Sequence, residues 1–262
     1  MRFSVLSSGS KANCTFLEAG NTRILIDCGL SAKEGEARLL KLGVDPQSID
    51  AIIVTHEHRD HINGVAVFSK RFKLPVFANT ATSRHIKKAY GIERFNSGET
   101  FWLGGLKIDS FSVVHDAADP VGFSVQAEGL KFVLVTDLGR VTPVVRAALR
   151  DANAVVIESN YDQEMLHNCS YPWALKQRIS SSYGHLSNDC AGALLQEIIN
   201  PGLSHVVLAH LSENSNTPQA ALNSVGKYLN SSYSNSLIAA NIEFATDLAE
   251  VAEFEIIRQS VL

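Results

Sequence analysis

The sequence predicts an α/β fold. Three observations carry that expectation: short apolar runs alternate with segments of helical period, turn residues separate them, and several runs end abruptly in a residue of metal-ligand type. With 262 residues, 45% of them hydrophobic, the chain can bury a sizeable core. Strand-rich and helix-containing stretches occur twice in succession, with no linker and no clear repeat between them. Residues 1–262 are therefore expected to form one domain of two similar halves.

Taken in order, residues 3–6 read as a strand that runs into a Ser/Gly turn. Residues 15–18 and 23–26 follow as two more strands, joined at Gly20-Asn21. From Ser31, a plausible N-cap, a helical pattern runs over 31–42 and stops at Gly43. Residues 51–55 form a buried strand. Helical patterns follow over 62–72 and 80–90, the second ended by Gly91. A β-rich middle covers 106–114, 122–127 and 131–136. Helical segments at 143–150, 172–181, 188–199 and 218–229 then alternate with strands at 154–157 and 206–209. Two strands at 237–244 and 251–256 close the chain.

Composition narrows the class of function. A formal net charge of -4 argues against a protein that coats nucleic acid, though not against an enzyme with a local basic face. The first twenty residues lack the continuous apolar core of a signal peptide, and no apolar run approaches the length of a membrane span. Cys14, Cys28, Cys169 and Cys190 are scattered and form no CxxC pair. Reduced, mostly buried thiols in a cytoplasm are the expectation, with neither a disulfide framework nor a cysteine zinc site.

One segment carries most of the chemistry: His56-Glu57-His58-Arg59-Asp60-His61, directly after an apolar strand. Three histidines and an aspartate at a strand end are costly unless a cation binds them. Imidazole and carboxylate suit zinc, manganese or iron. In a tight turn His56 and His58 can face one way while Asp60 and His61 face another, which serves two neighbouring ions. The bland alternative is a polar surface turn. The pattern then recurs in simpler form, with apolar strands delivering His115, Asp137 and His210 at their carboxyl ends, where α/β folds collect ligands. Any one alone reads more readily as a structural residue; together they point to a shared site.

These motifs resemble the metallo-β-lactamase superfamily, whose signature is HxHxDH followed by a separate His, an Asp and a final His. The resemblance spans essentially the whole chain. It implies a four-layered αβ/βα sandwich and two divalent metal ions (zinc, manganese or iron). It assigns His56, His58 and His115 to the first metal, Asp60, His61 and His210 to the second, and Asp137 as the bridge. It is specific for fold and metal site and much less so for substrate.

Three features favour phosphodiesters. Tyr183-Gly184-His185-Leu186-Ser187 precedes a helical segment and resembles the nuclease branch. There His185 would stabilise transition-state charge or protonate the leaving oxygen; a structural histidine at a helix start is the other reading. The stretches 6–14 and 25–29 resemble the YycJ/WalJ group, which implies 5′-to-3′ exonuclease action on double-stranded DNA, although an ordinary hairpin turn also accounts for the first. Asp27 reads as a brace for the metal histidines rather than a ligand, and Glu158 and Asn160 as lesser candidates to face the site. Finally, residues 59–94 carry eight Lys/Arg against Asp60 and Glu93, as either a phosphate-tracking face or solvated helix surfaces. His85, His167 and His205 read as surface or structural.

The expected reaction is metal-assisted hydrolysis, with paired cations about 3.5–4 Å apart activating a shared water for in-line attack. Asp60 and Asp137 belong to that machinery, with His185 assisting departure of the alcohol. DNA is the expected partner and RNA the second candidate; no membrane is expected, and the sequence says nothing of oligomeric state. The main rival is a small-molecule ester, lactone or thioester hydrolase on the same fold. A redox di-iron protein would place a carboxylate at His58, and a catalytically dead binding module would have lost ligands. The interval from Asp137 to His210 leaves no room for the extra domain of β-CASP nucleases.

Overall fold

The computed structural model describes residues 1–229 and 237–251. Its first sheet is built from β1 (Arg2–Ser7), β2 (Cys14–Ala19), β3 (Thr22–Ile26), β4 (Ala51–Ile53), β5 (Pro75–Asn79) and β6 (Gly91–Phe95). The second contains β7 (Thr100–Leu103), β8 (Leu106–Ser112), β9 (Val121–Ala127), β10 (Leu130–Val135), β11 (Ala154–Glu158), β12 (His205–Ala209) and β13 (Leu237–Ala239). β14 (Ala249–Glu250) then returns to the first sheet beside β1.

Both sheets follow one plan. Read from β14 across to β6, and from β7 across to β13, each has three antiparallel pairings followed by three parallel ones. Consecutive antiparallel strands are joined by turns or loops and the parallel ones by connections that contain helices, whereas β14 reaches β1 from the other end of the chain.

Side-chain alternation along the strands produces the layers. Ile24, Ile26 and Ile53 of the first sheet face Phe123, Phe132, Leu134 and Val156 of the second, in one apolar core between the sheets. The intervening residues face outward. Leu25 and Ile52 pack with Leu39 of α1 (Ala32–Lys41) and with Val65 and Phe68 of α3 (Val65–Phe72). Val133, Val135 and Ile157 pack with α5 (Pro143–Leu149), α8 (Asn188–Ile198) and α9 (Pro218–Gly226). Helix, sheet, sheet, helix is the result, the four-layered sandwich that was expected.

The shorter helices are α2 (Arg59–Ile62), α4 (Thr80–Ser83), α6 (Gln163–Asn168) and α7 (Trp173–Ile179). Ser31 does cap α1, accepting from the Glu34 amide at 3.2 Å. No helix among the described residues is long and apolar enough to cross a membrane.

Several local expectations need correction. The helix expected over 80–90 shrinks to α4, and Gly91 opens β6 instead of ending a helix. β6 pairs in parallel with β5 and buries Phe95, so tertiary pairing overrides the local pattern. β5, β6, β7 and α6 were not anticipated at all. The helix expected over 62–72 divides into α2 and α3 at Asn63-Gly64, where a side chain at 64 would meet the Leu30 carbonyl. The strand expected over 237–244 ends at Ala239, because the chain leaves the sheet there. Asn241 and Ile242 instead accept hydrogen bonds from the Ser8 amide and the Ser7 hydroxyl. Of the strand expected over 251–256, Val251 alone is described and it follows β14; the rest lies outside the described residues. The thiols are free, but only Cys14 and Cys28 are buried. Cys169 is half-buried and Cys190 exposed.

Candidate metal centre

The carboxyl ends of β4, β8, β10, β11 and β12 converge on one cleft of about 350 Å³. After β4 the chain turns through His56 to His58, which is the N-terminal flank of α2. That single turn of helix carries Asp60 and His61. His115 follows β8, Asp137 follows β10 and His210 follows β12. Glu158 is the last residue of β11. Asp137 and His210 both hold left-handed backbone, φ 56° and 57°, as does Asp27 after β3, φ 59°. Such conformations are uncommon outside glycine and persist where neighbouring contacts enforce them.

All eight expected site residues come together. Ligand-type atoms of His56, His58 and His115 lie within 4.8 Å of one another, and so do those of Asp60, His61 and His210. Asp137 joins His56 and His61 in one group and Glu158, His185 and His210 in another, so it stands between the two triads. Its carboxylate lies 3.1 Å from His61 Nε2, 3.5 Å from His115 Nε2 and 3.7 Å from His210 Nε2.

The hydrogen bonds behind the rings decide which nitrogen faces the cleft. His61 Nδ1 pairs with Asp27 at 2.8 Å, and His115 Nδ1 donates to the Gly184 carbonyl at 3.0 Å. His185 and His210 both use Nδ1 on Glu158 Oε1, at 2.8 and 2.9 Å. Thr55 Oγ1 donates to Asp27, so it can only accept from His56 Nδ1, 3.1 Å away. Each of these five imidazoles therefore turns Nε2 inward. The carboxylate and carbonyl partners are those that orient metal-binding histidines.

Charge in the site is strongly coupled. Burial opposes a charge on His61, but the Asp27 and Asp137 carboxylates outweigh it and hold its pKa well above the ordinary imidazole value. Burial likewise opposes charge on His210, yet Asp137, Asp60 and Glu158 raise its pKa to about 10. Burial and the neighbouring His61 push His56 well below. Burial also disfavours charge on Asp137, Asp60 and Glu158. The surrounding imidazoles prevail and lower Asp137 and Asp60 well below the carboxylate range, and Glu158 to about 2.

These residues fit divalent cations. His56 Nε2, His210 Nε2 and Asp137 Oδ2 are buried without a hydrogen-bond partner. Buried polar atoms left unpaired are expensive, and a cation held by nitrogen and oxygen donors satisfies all three.

The sequence understated several residues. Asn13 is one residue of the loop over 6–14 in the sequence, yet its Nδ2 lies 3.0 Å from both Asp60 Oδ2 and His61 Nε2. Glu158, a lesser candidate, is fully buried and holds two of the ring nitrogens. Asn160 donates to the His210 carbonyl at 2.7 Å and lines the cleft. Asp116 and Arg178 were missed. The carboxylate is 3.2 Å from His115 Nε2 and pairs with the guanidinium across the cleft wall at 2.8 Å. For Glu158 the strand-end rule was available; nothing local singled out Asn13 or Arg178. Asp27 is placed as expected, behind His61 and Thr55. His85 and His167 are exposed, and His205 packs edge-on against Phe3.

The β-lactamase superfamily domain model matches residues 22–211. The chain belongs to the metallo-β-lactamase superfamily. Within that superfamily it is 36% identical over 235 residues to exodeoxyribonuclease YycJ of Bacillus anthracis, covering 87% of this chain and 89% of the relative. It is 35% identical over 228 residues to exodeoxyribonuclease WalJ of Streptococcus pneumoniae, covering 84% and 85%. Among solved structures, the metallo-β-lactamase fold protein YhfI of Bacillus subtilis superposes with a TM-score of 0.74 at 15% identity, over 94% of this chain and 99% of that one. At that identity the likeness concerns the fold alone. The superfamily and the His/Asp clusters make the chain a hydrolase of this fold.

Proposed function

We propose that the chain is a two-metal phosphodiesterase whose substrate is DNA, cut from the 5′ end of a duplex. His56, His58 and His115 would hold one cation, Asp60, His61 and His210 the other, with Asp137 between them. The observation that carries the metal reading is the set of unpaired buried atoms on His56, His210 and Asp137. The DNA reading is supported by the relatives named exodeoxyribonucleases over most of the chain.

Bound divalent cations supply a lowered water pKa and neutralise charge growing on phosphoryl oxygens. The remaining work falls to the side chains. Asp27 and the Gly184 carbonyl hold His61 and His115 in the tautomers whose Nε2 faces inward. Glu158 fixes His185 through Nδ1, so His185 Nε2 faces the cleft and can pass a proton to the departing oxygen. Arg178 on the cleft wall places a positive charge where a phosphate would lie.

Metal-reconstituted protein should be incubated with end-labelled single- and double-stranded DNA and RNA, beside bis(p-nitrophenyl) phosphate, a lactone and a thioester. Loss of nucleotides from duplex DNA, weakening steeply with salt, is the expected result. Turnover confined to lactones or thioesters would replace the reading with small-molecule hydrolysis. Turnover of RNA in preference to DNA would reassign the substrate.

A further inference from the structure

We propose that α7 and its flanking turns form a seat for single-stranded nucleic acid leading into the cleft, with a base stacked on Trp173. The proposal deepens the phosphodiesterase reading and rests on it. α7 is unusual among the helices, because none of its residues is buried although it stands beside the metal cleft. Leu175, Arg178 and Ile179 line that cleft. Trp173, Lys176, Gln177 and Ser180 line a second groove of about 390 Å³ together with Tyr161 and Leu166. The helix thus stands between the two, lending residues to each.

The chemistry of this wall matches one class of ligand. Trp173 is 65% exposed and Tyr183 60%, values at which a large aromatic ring offers a free face. From Met165 to Asn188 the chain has no Asp or Glu, in a protein whose net charge is -4, while Lys176 contributes one cation and Arg178 a second, shared with Asp116. A hydrophobic protein partner would meet Gln177, Lys176 and Ser180 in the groove with the tryptophan, a poor apolar surface. A polyanion with flat faces meets cations and exposed rings, the combination by which proteins hold single strands without reading their sequence.

The seat is also registered to the reacting centre. Arg178 pairs with Asp116, next to His115. The turn after Tyr183 presents the Gly184 carbonyl to His115 Nδ1, and His185 follows at once. Gly184 is required there, since a Cβ would lie 2.2 Å from the carbonyl oxygens of both Arg178 and Ile179. A strand stacked on Trp173 would therefore enter the cleft at a fixed offset from the ligand cluster.

The chain has two tryptophans, and Trp102 is exposed on β7. Trp102→Phe leaves Trp173 as the sole reporter. Metal-free W102F protein should be titrated with oligothymidylate and oligouridylate while Trp173 emission is followed. Saturable quenching that weakens with salt is expected, and Lys176→Gln should reduce the salt slope by about one. In metal-loaded protein, Trp173→Leu should lower kcat/KM for an oligonucleotide about tenfold more than for bis(p-nitrophenyl) phosphate. Trp173 emission that ignores oligonucleotides, or equal loss on both substrates, would overturn the seat. An emission shift that follows protein concentration alone, with a doubled sedimentation mass, would overturn it in favour of a second copy. If DNA is cut but Trp173 does not respond, the seat fails and the nuclease reading stands. If Trp173 responds and no phosphodiester is cut, the nuclease reading fails and the seat stands.

Discussion

Five imidazoles of the cleft have Nδ1 committed to a protein partner, and that commitment selects Nε2 as the nitrogen that faces the cleft. Asp27 is the sharpest test, because Asp27→Asn keeps size while turning a donor towards Thr55 and His61. Metal affinity should fall roughly 10–100-fold, measured by competition with a chelator; unchanged affinity would mean Asp27 does not orient His61. His185→Ala should lower kcat by about 10²-fold with metal content intact, by elemental analysis, if His185 handles a proton. Loss of metal instead would make it a ligand. The raised pKa values of His61 and His210 give a pH dependence. The carboxylates around both rings favour their protonated forms without metal, so a cation must displace protons, and its affinity should fall as pH falls. Calorimetry at pH 7 in two buffers of different ionisation enthalpy should register proton release; none would contradict the assignment.

At the scale of elements, the site depends on loops that touch backbone to backbone. The Asn13 amide donates to the Asp60 carbonyl at 2.7 Å, and the Gly29 amide to the Asn13 carbonyl at 2.8 Å. A Cβ on Gly29 would sit 1.6 Å from the Asp60 carbonyl oxygen, so the loops after β3 and β4 can meet only at a glycine. Gly29→Ala should cost about 1–3 kcal/mol in urea denaturation and reduce metal content by displacing Asp60. Normal stability and metal loading would show that the loops can part freely. The same scale explains the missed strands. β5 and β6 are short parallel strands whose hydrogen-bonding partners lie in other segments, so their order comes from pairing and not from local period.

At the scale of the molecule, the core between the sheets belongs to both halves. Phe132 of the second sheet packs against Phe3 of the first, ring centroids 5.1 Å apart. Phe132→Ala should cost about 3–5 kcal/mol, and because both halves share that core, it should lower one cooperative thermal transition. Two separate transitions, only one of them shifted, would show halves that fold independently.

Amino-acid order alone was enough for the α/β class, most strand positions and the eight residues that gather at the cleft, because strand alternation, strand ends and the HxHxDH cluster are local patterns carried by neighbouring positions. It also marked the carboxyl ends of strands as the place where ligands gather. Only the folded chain decided that β4, β8, β10, β11 and β12 end at one cleft, that Glu158 holds His185 and His210 together, and that Arg178 and Asn13 reach it. The physical reason is range: hydrophobic period and turn chemistry act over a few residues, whereas ring orientation, charge coupling and backbone contact depend on groups far apart in sequence that packing alone makes neighbours.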